Sequence, residues 1–264
     1  MKRFIIQVPP NSDGVVHLYD KDYHYLVRVR RLKSGMCFDA LLPDGRETQI
    51  RILSTVDNIL IGECLVMPGQ VPPNKEAGTL PPIALFQGIP RGTRMDLIAR
   101  QAAECGVWTI APFFSEYSQV RLKESQREEK TNRWKRIIKE ARQQSGSVRE
   151  TKILAPCSFD ALLEYWESLK KQYRRPIAIM LHQEPLEKGS FHDYLCNNPD
   201  FAVVAVGPEG GFSPKEAERF KEAGFKPLIL GNNILRTETA ALYGITAIKT
   251  ILAERKSWKV LPKE

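Results

Sequence analysis

The sequence predicts an α/β protein in which helices cover both faces of a mostly parallel sheet, joined to a smaller amino-terminal unit of short β segments. Three observations carry this. Beyond residue 82, strand-like and helix-like stretches alternate, the pattern of a parallel sheet with helical crossovers. Before residue 67 the apolar runs are short and broken by turn residues. Between them "MPGQVPPNKEAGTLPP" (67–82) gathers proline, glycine and polar residues without periodicity, and reads as a linker. Domain limits fall at 1–70, 71–80 for the linker, and 81–264.

In the first part, Phe4 to Val8, Cys37 to Leu42, Thr48 to Leu53 and Ile59 to Val66 read as strands, with Asp44-Gly45 as a hairpin turn and Asp20 to Lys33 as a short helix. In the second, Ile83 to Gln87 is a strand. Met95, Ile98, Ala99 and Ala102 then repeat at helical spacing until Gly106. Thr109 to Phe113 follows as a strand, and Trp134, Ile137, Ile138 and Ala141 stripe a long helix. Strands at Ile177 to Leu181, Phe201 to Val206 and Pro227 to Leu230 alternate with helices at Ser158 to Lys171, Ser213 to Ala223 and Thr237 to Ala253. Ser213-Pro214-Lys215-Glu216 is a capping box with proline at the first helical position.

Composition narrows the function. The chain of 264 residues carries a formal net charge of +8, and residues 121–152 hold eleven Lys/Arg against five Glu, a patch suited to a polyanion. No apolar run approaches the roughly 18 residues of a membrane span, and Phe4-Ile5-Ile6 is too short for a signal-peptide core, so a cytoplasmic protein is expected. Five scattered cysteines with no CxxC fit reduced thiols, and no metal-ligand cluster is visible.

In such a sheet, ligands are expected beyond the carboxyl ends of the strands. Three loops leave strands there: "LHQEP" (181–185), "VGPEGGF" (206–212) and "LGNNILRTETA" (230–240). The second is neither GxGxxG nor a Walker loop, which disfavours a nucleoside triphosphate. By itself it would be explained by a tight strand-to-helix turn. In the third, Thr237 fits an N-cap and Glu238 a first-turn carboxylate. Arg236 fits neither role: a cation just before a helix N-terminus calls for a salt bridge or an anionic substrate group.

Together, "VGPEGGF", "LGNNILRTETA", "RGTRMDLIARQAAECGVWTIAPFFSEYS" and "HYLVRVRRLKSG" resemble the RsmE family of small-subunit rRNA uridine N3-methyltransferases over nearly the whole chain. The resemblance implies a SPOUT-class domain, in which the carboxyl-terminal chain forms a trefoil knot that holds S-adenosylmethionine, preceded by a PUA-like β-barrel. It places backbone at Leu181, Val206, Gly207, Gly210, Leu230, Gly231 and Leu235 around the cofactor, with His182, Glu209, Gly211, Ile234, Thr239 and Ala240 beside them. It implies a homodimer, with Ala240, Ala241, Ile245 and Ile248 of the last helix at the interface, and 16S rRNA in the small ribosomal subunit as partner.

Uridine N3 carries a proton at neutral pH, so positioning alone does not supply the nucleophile. Arg236 is the candidate to stabilise the developing uridine anion. Glu238 would orient Arg236 or accept the proton, with water an equal contender. Arg28, Arg31, Arg94, Arg121, Arg142 and Arg149 are the candidates to grip phosphates around the unpaired base. The chain departs from the family pattern at Gly146-Ser147-Val148-Arg149-Glu150-Thr151, where Gly-Arg-x-Arg-Val-Pro is usual. This keeps two alternatives in view: a non-catalytic RNA-binding assembly factor, and a SPOUT enzyme acting on a tRNA base or a ribose 2′-hydroxyl.

Overall fold

A computed structural model describes residues 4–43, 46–65, 80–120, 122–147, 149–183, 190–195, 198–229 and 231–257. The chain forms two compact units, Met1–Ala77 with Arg142–Val148, and Gly78–Ala141 with Arg149–Glu264. The predicted linker lies almost wholly outside the described residues, as do Asp44 and Gly45.

The first unit is built on a five-stranded sheet in the order β1-β3-β4-β5-β2, from β1 (Phe4–Ile5), β2 (Val15–Leu18), β3 (Cys37–Leu41), β4 (Glu47–Val56) and β5 (Ile59–Leu65). Only β1 with β3 is parallel. Alternation sets the faces. In β4, Ile50 and Ile52 are buried while Arg51 between them is exposed and pairs with Glu63, its cross-strand neighbour, at 2.7 Å. The hairpin from β4 to β5 turns through Asp57 and Asn58, both with positive φ (49° and 60°), as a two-residue type I′ turn requires. Among the described residues the edge strands β1 and β2 do not pair with each other.

The expected helix over Asp20 to Lys33 is a single α-turn, α1 (Asp20–Tyr23), running into a π-helical stretch, His24–Val29. There the Arg30 amide donates to the Tyr25 carbonyl, five residues back. The wider turn buries Leu26 completely and leaves Arg28, Arg30 and Arg31 exposed.

The second unit contains a seven-stranded, wholly parallel sheet: β6 (Ile83–Gly88), β7 (Thr109–Phe114), β8 (Lys152–Ile153), β9 (Cys157–Ser158), β10 (Pro176–Leu181), β11 (Phe201–Val206) and β12 (Lys226–Leu228), in the order β12-β10-β11-β6-β7-β8, with β9 also on β7. Helices α2 (Arg94–Glu104), α3 (Glu124–Ser145), α4 (Phe159–Gln172), α5 (Phe191–Leu195), α6 (Pro214–Glu222) and α7 (Thr237–Ser257) connect and flank it. Every residue of β11 is buried, because the two faces of the strand serve two cores. Val204 and Val206 pack with Ile98, Trp134, Ile138 and Ile245. Val203 and Ala205 pack with Leu162, Trp166 and Phe220 on the other face.

This packing corrects the reading of the last helix. Ala241, Ile245 and Ile248 are buried in the chain's own core and are not available as an interface, while Ala240 is half-buried and packs against that core. The exposed apolar side chain of α7 is Tyr243. No helix among the described residues is long and apolar enough to cross a membrane.

Candidate active site

The loops that follow β10, β11 and β12 meet the start of α7 around a cleft of about 840 Å³. This lies within the usual range for a small-molecule site, some 300–1,000 Å³. Of the residues the sequence assigned to a cofactor, Leu181, His182, Val206, Gly207, Glu209, Gly210, Gly211, Gly231, Ile234, Leu235 and Ala240 line it, as do Arg236 and Glu238. Leu230 lies outside the described residues, and Thr239 is exposed without lining the cleft.

The wall after β11 is held from several sides. A Cβ on Gly207 would stand 2.7 Å from the Gly211 carbonyl carbon, and Gly211 itself has φ +70°, so the loop folds back on itself in a way that needs glycine at both places. A Cβ on Gly210 would meet the Cβ of Tyr117 at 2.9 Å, so this glycine makes room for Tyr117 rather than for a ligand. The capping box at Ser213 is formed as the sequence indicates. Its Glu216 is buried; it closes the box by accepting from the Ser213 amide at 3.0 Å, and accepts two further hydrogen bonds, from the Ser115 hydroxyl at 2.9 Å and the Glu116 amide at 3.0 Å. One carboxylate thus joins the loop after β11 to the loop after β7.

The wall before α7 is different. Ile234 is 90% exposed. Arg236 is exposed, and no carboxylate pairs with its guanidinium among the described residues. Its carbonyl accepts from the Ala240 amide, which makes Arg236 the residue that caps α7. Thr237 is therefore not the N-cap; its hydroxyl donates to the Gly207 carbonyl at 2.7 Å.

Glu238 does not orient Arg236. Its Oε2 lies 3.7 Å from Arg94 Nε, and that oxygen is buried without a hydrogen-bond partner. Arg94 also pairs with Glu209 at 2.5 Å, and the Arg91 amide donates to the same Glu209 oxygen at 3.0 Å. Arg94, assigned above to phosphate, instead lines the cleft between two carboxylates. Arginine at the first position of α2 gave no signal of this, because its carboxylate partners are more than a hundred residues away in sequence.

The other arginines divide. Arg149 is half-buried, with its guanidinium on the Leu80 carbonyl at 2.7 Å, and burial lowers its pKa from the ordinary value. That contact gives it a structural role in place of the phosphate contact expected. Arg142 is half-buried, Arg28 and Arg31 are exposed, and Arg121 lies outside the described residues. In α3, Arg133 is tied to Asp96 of α2 at 2.6 Å, and Trp134 donates to the same carboxylate at 3.2 Å. Among the described residues, no group of three or more His, Cys, Asp and Glu side chains could hold a metal ion.

Residues 78–249 match the model of the RNA methyltransferase domain. The chain is 28% identical over 234 residues to ribosomal RNA small subunit methyltransferase E of Bacillus subtilis, covering 86% of this chain and 87% of that one. It is 37% identical over 166 residues to the protein of the same name from Aquifex aeolicus, covering 62% and 67%. The crystal structure of a ribosomal RNA small subunit methyltransferase E from Neisseria gonorrhoeae, bound to S-adenosyl methionine, superposes with a TM-score of 0.75 at 26% identity, over 95% of this chain and 98% of that one. The chain belongs to the RNA methyltransferase domain family, in its ribosomal RNA small subunit methyltransferase E branch.

Proposed function

We propose that the protein transfers a methyl group from S-adenosylmethionine to N3 of a uridine in the 16S rRNA of the small ribosomal subunit. The observation that carries this is the cleft at the carboxyl ends of β10, β11 and β12, lined by both sequence motifs of the resemblance and matched in fold by a relative bound to S-adenosyl methionine.

The residues present suit that cofactor. The folded-back Gly207–Gly211 segment and the loop from Gly231 supply backbone walls, and Leu181, Val206 and Leu235 supply apolar surface for the adenosine. Glu209 and Glu238 place two carboxylates in a cleft that would receive a sulfonium cation. When bound, the cofactor supplies an electrophilic methyl group. In this reading the domain takes the SPOUT arrangement, with α7 passing through the knot.

The chain's own part is electrostatic. Deprotonating uridine N3 places negative charge on the uracil carbonyls, and Arg236, free of a carboxylate, is positioned to meet it. A preorganised donor of this kind contributes roughly 3–4 kcal/mol. Glu238 lines the same cleft and is the candidate to receive the N3 proton, with water an equal contender. Arg94 then keeps Glu238 and Glu209 from repelling one another. The exposed Arg28 and Arg31 of the first unit, with the exposed cations of α3, hold the RNA by its phosphates. The enzyme works as a homodimer in the cytoplasm.

The test is transfer of label from S-adenosylmethionine to undermethylated small subunits, with cofactor binding measured separately by calorimetry. Label in 16S rRNA is the expected result. Cofactor binding with RNA held but unlabelled would favour a binding protein instead.

A further inference from the structure

Gln87 is the penultimate residue of β6 and is fully buried. Its amide nitrogen donates to the Gly88 carbonyl at 2.9 Å and to the Thr237 hydroxyl at 3.0 Å, with the Gly207 and Val206 carbonyls farther off at 3.4 and 3.5 Å. Exchanging the amide nitrogen and oxygen would set an oxygen against those carbonyls, so the surroundings fix which is which. The nitrogen has two hydrogens, and the two short contacts use both. Thr237 therefore accepts from Gln87, and its single hydroxyl hydrogen goes to the Gly207 carbonyl at 2.7 Å.

The result is a directed relay from β6 through the first residue of α7 to the loop after β11, linking positions 150 residues apart. It is a costly way to fill a core. Gln87 Oε1 is left without a hydrogen-bond partner, so the arrangement carries the desolvation cost of one buried polar atom. What the relay fixes explains its presence. Thr237 stands between Arg236 and Glu238, and Gly207 belongs to the wall assigned to the cofactor.

We propose that Gln87 and Thr237 are positioning residues for methyl transfer, holding the start of α7 at a set distance from the Gly207 wall so that Arg236 and Glu238 meet the base in line with the methyl donor. The inference rests on the function proposed above. Thr237 and Gly207 line the cleft, but the Thr237 hydroxyl and the Gln87 amide hydrogens are committed to the relay, which acts through the groups on either side of Thr237.

The test compares Thr237→Val, which keeps the shape and loses the hydroxyl, with Thr237→Ser, which keeps the hydroxyl. Small misplacements of reacting groups cost rate far more than binding, so kcat of Thr237→Val should fall by about 10- to 100-fold while cofactor affinity moves by less than about 3-fold. Thr237→Ser should recover most of the rate. Equal losses in kcat and affinity, or an unchanged kcat, would overturn the proposal. If Thr237→Val does not fold, Gln87→Met carries the same comparison.

Hydrogen exchange at the Ala240 amide separates this from the functional reading, since that amide bonds to the Arg236 carbonyl. Should the wild-type protein methylate nothing, the function falls, yet faster exchange there in Thr237→Val would still uphold the relay. Unchanged exchange would sink it.

Discussion

The two walls of the cleft are built on opposite principles. The loop after β11 is satisfied internally: Gly207 and Gly211 let it fold on itself, and buried Glu216 closes the capping box and reaches the loop after β7. At the loop before α7, Ile234 is exposed and, among the described residues, Arg236 has no carboxylate partner and one Glu238 oxygen has no hydrogen-bond donor. One wall is shaped by the fold's own needs and the other by something yet to bind. Mutations should therefore separate stability from activity according to the wall they strike.

The largest separation is expected at Arg236. Arg236→Ala removes an exposed cation that no carboxylate pairs with among the described residues, so turnover should fall by about 10²- to 10³-fold, with cofactor affinity within a few fold and little change in melting. Joint loss of cofactor binding and activity would merge the roles kept apart here. Glu216→Ala is the converse. It leaves the Ser115 hydroxyl and the Glu116 and Ser213 amides without their acceptor, at about 3 kcal/mol in denaturant unfolding. A loss below about 0.5 kcal/mol would mean that water replaces the carboxylate easily.

Gly207→Ala sets a methyl group against the Gly211 backbone and should cost about 1–3 kcal/mol, with weakened cofactor binding because the wall must shift. Ile234→Ser is the mildest. At 90% exposure it should change stability by less than about 0.5 kcal/mol. If the cofactor covers this side chain, affinity should still drop several-fold, which calorimetry would read.

How much of this was legible from sequence follows the range of the forces involved. The alternation from β6 to α7 and the Ser213–Glu216 box are local patterns, and the structure places them within a residue or two of where periodicity and capping put them, except that α7 runs to Ser257 where Ala253 was expected. Elements that depend on distant partners were not visible. β2, β8 and β9 have four residues or fewer and gain their order from neighbouring strands, and the π-helical turn at His24–Val29 has no periodicity of its own.

The site shows the same limit. Both motif loops could be found from glycines and an ill-placed arginine. The roles of Arg94, Gln87 and Thr237 could not, because each is defined by a partner more than a hundred residues away. Gly210 lines the cleft, but the need for glycine there comes from Tyr117, which only the folded chain brings near. The last helix misled differently: its apolar stripe has the same appearance whether it faces its own core or a partner, and burial decides for the core.

The most direct measurement is nucleoside mass spectrometry of 16S rRNA from undermethylated small subunits after incubation with the protein and labelled S-adenosylmethionine. The account predicts the label in N3-methyluridine, and its disappearance with Arg236→Ala. Label in a 2′-O-methylated nucleoside, or none in RNA that the protein nevertheless binds, would contradict it.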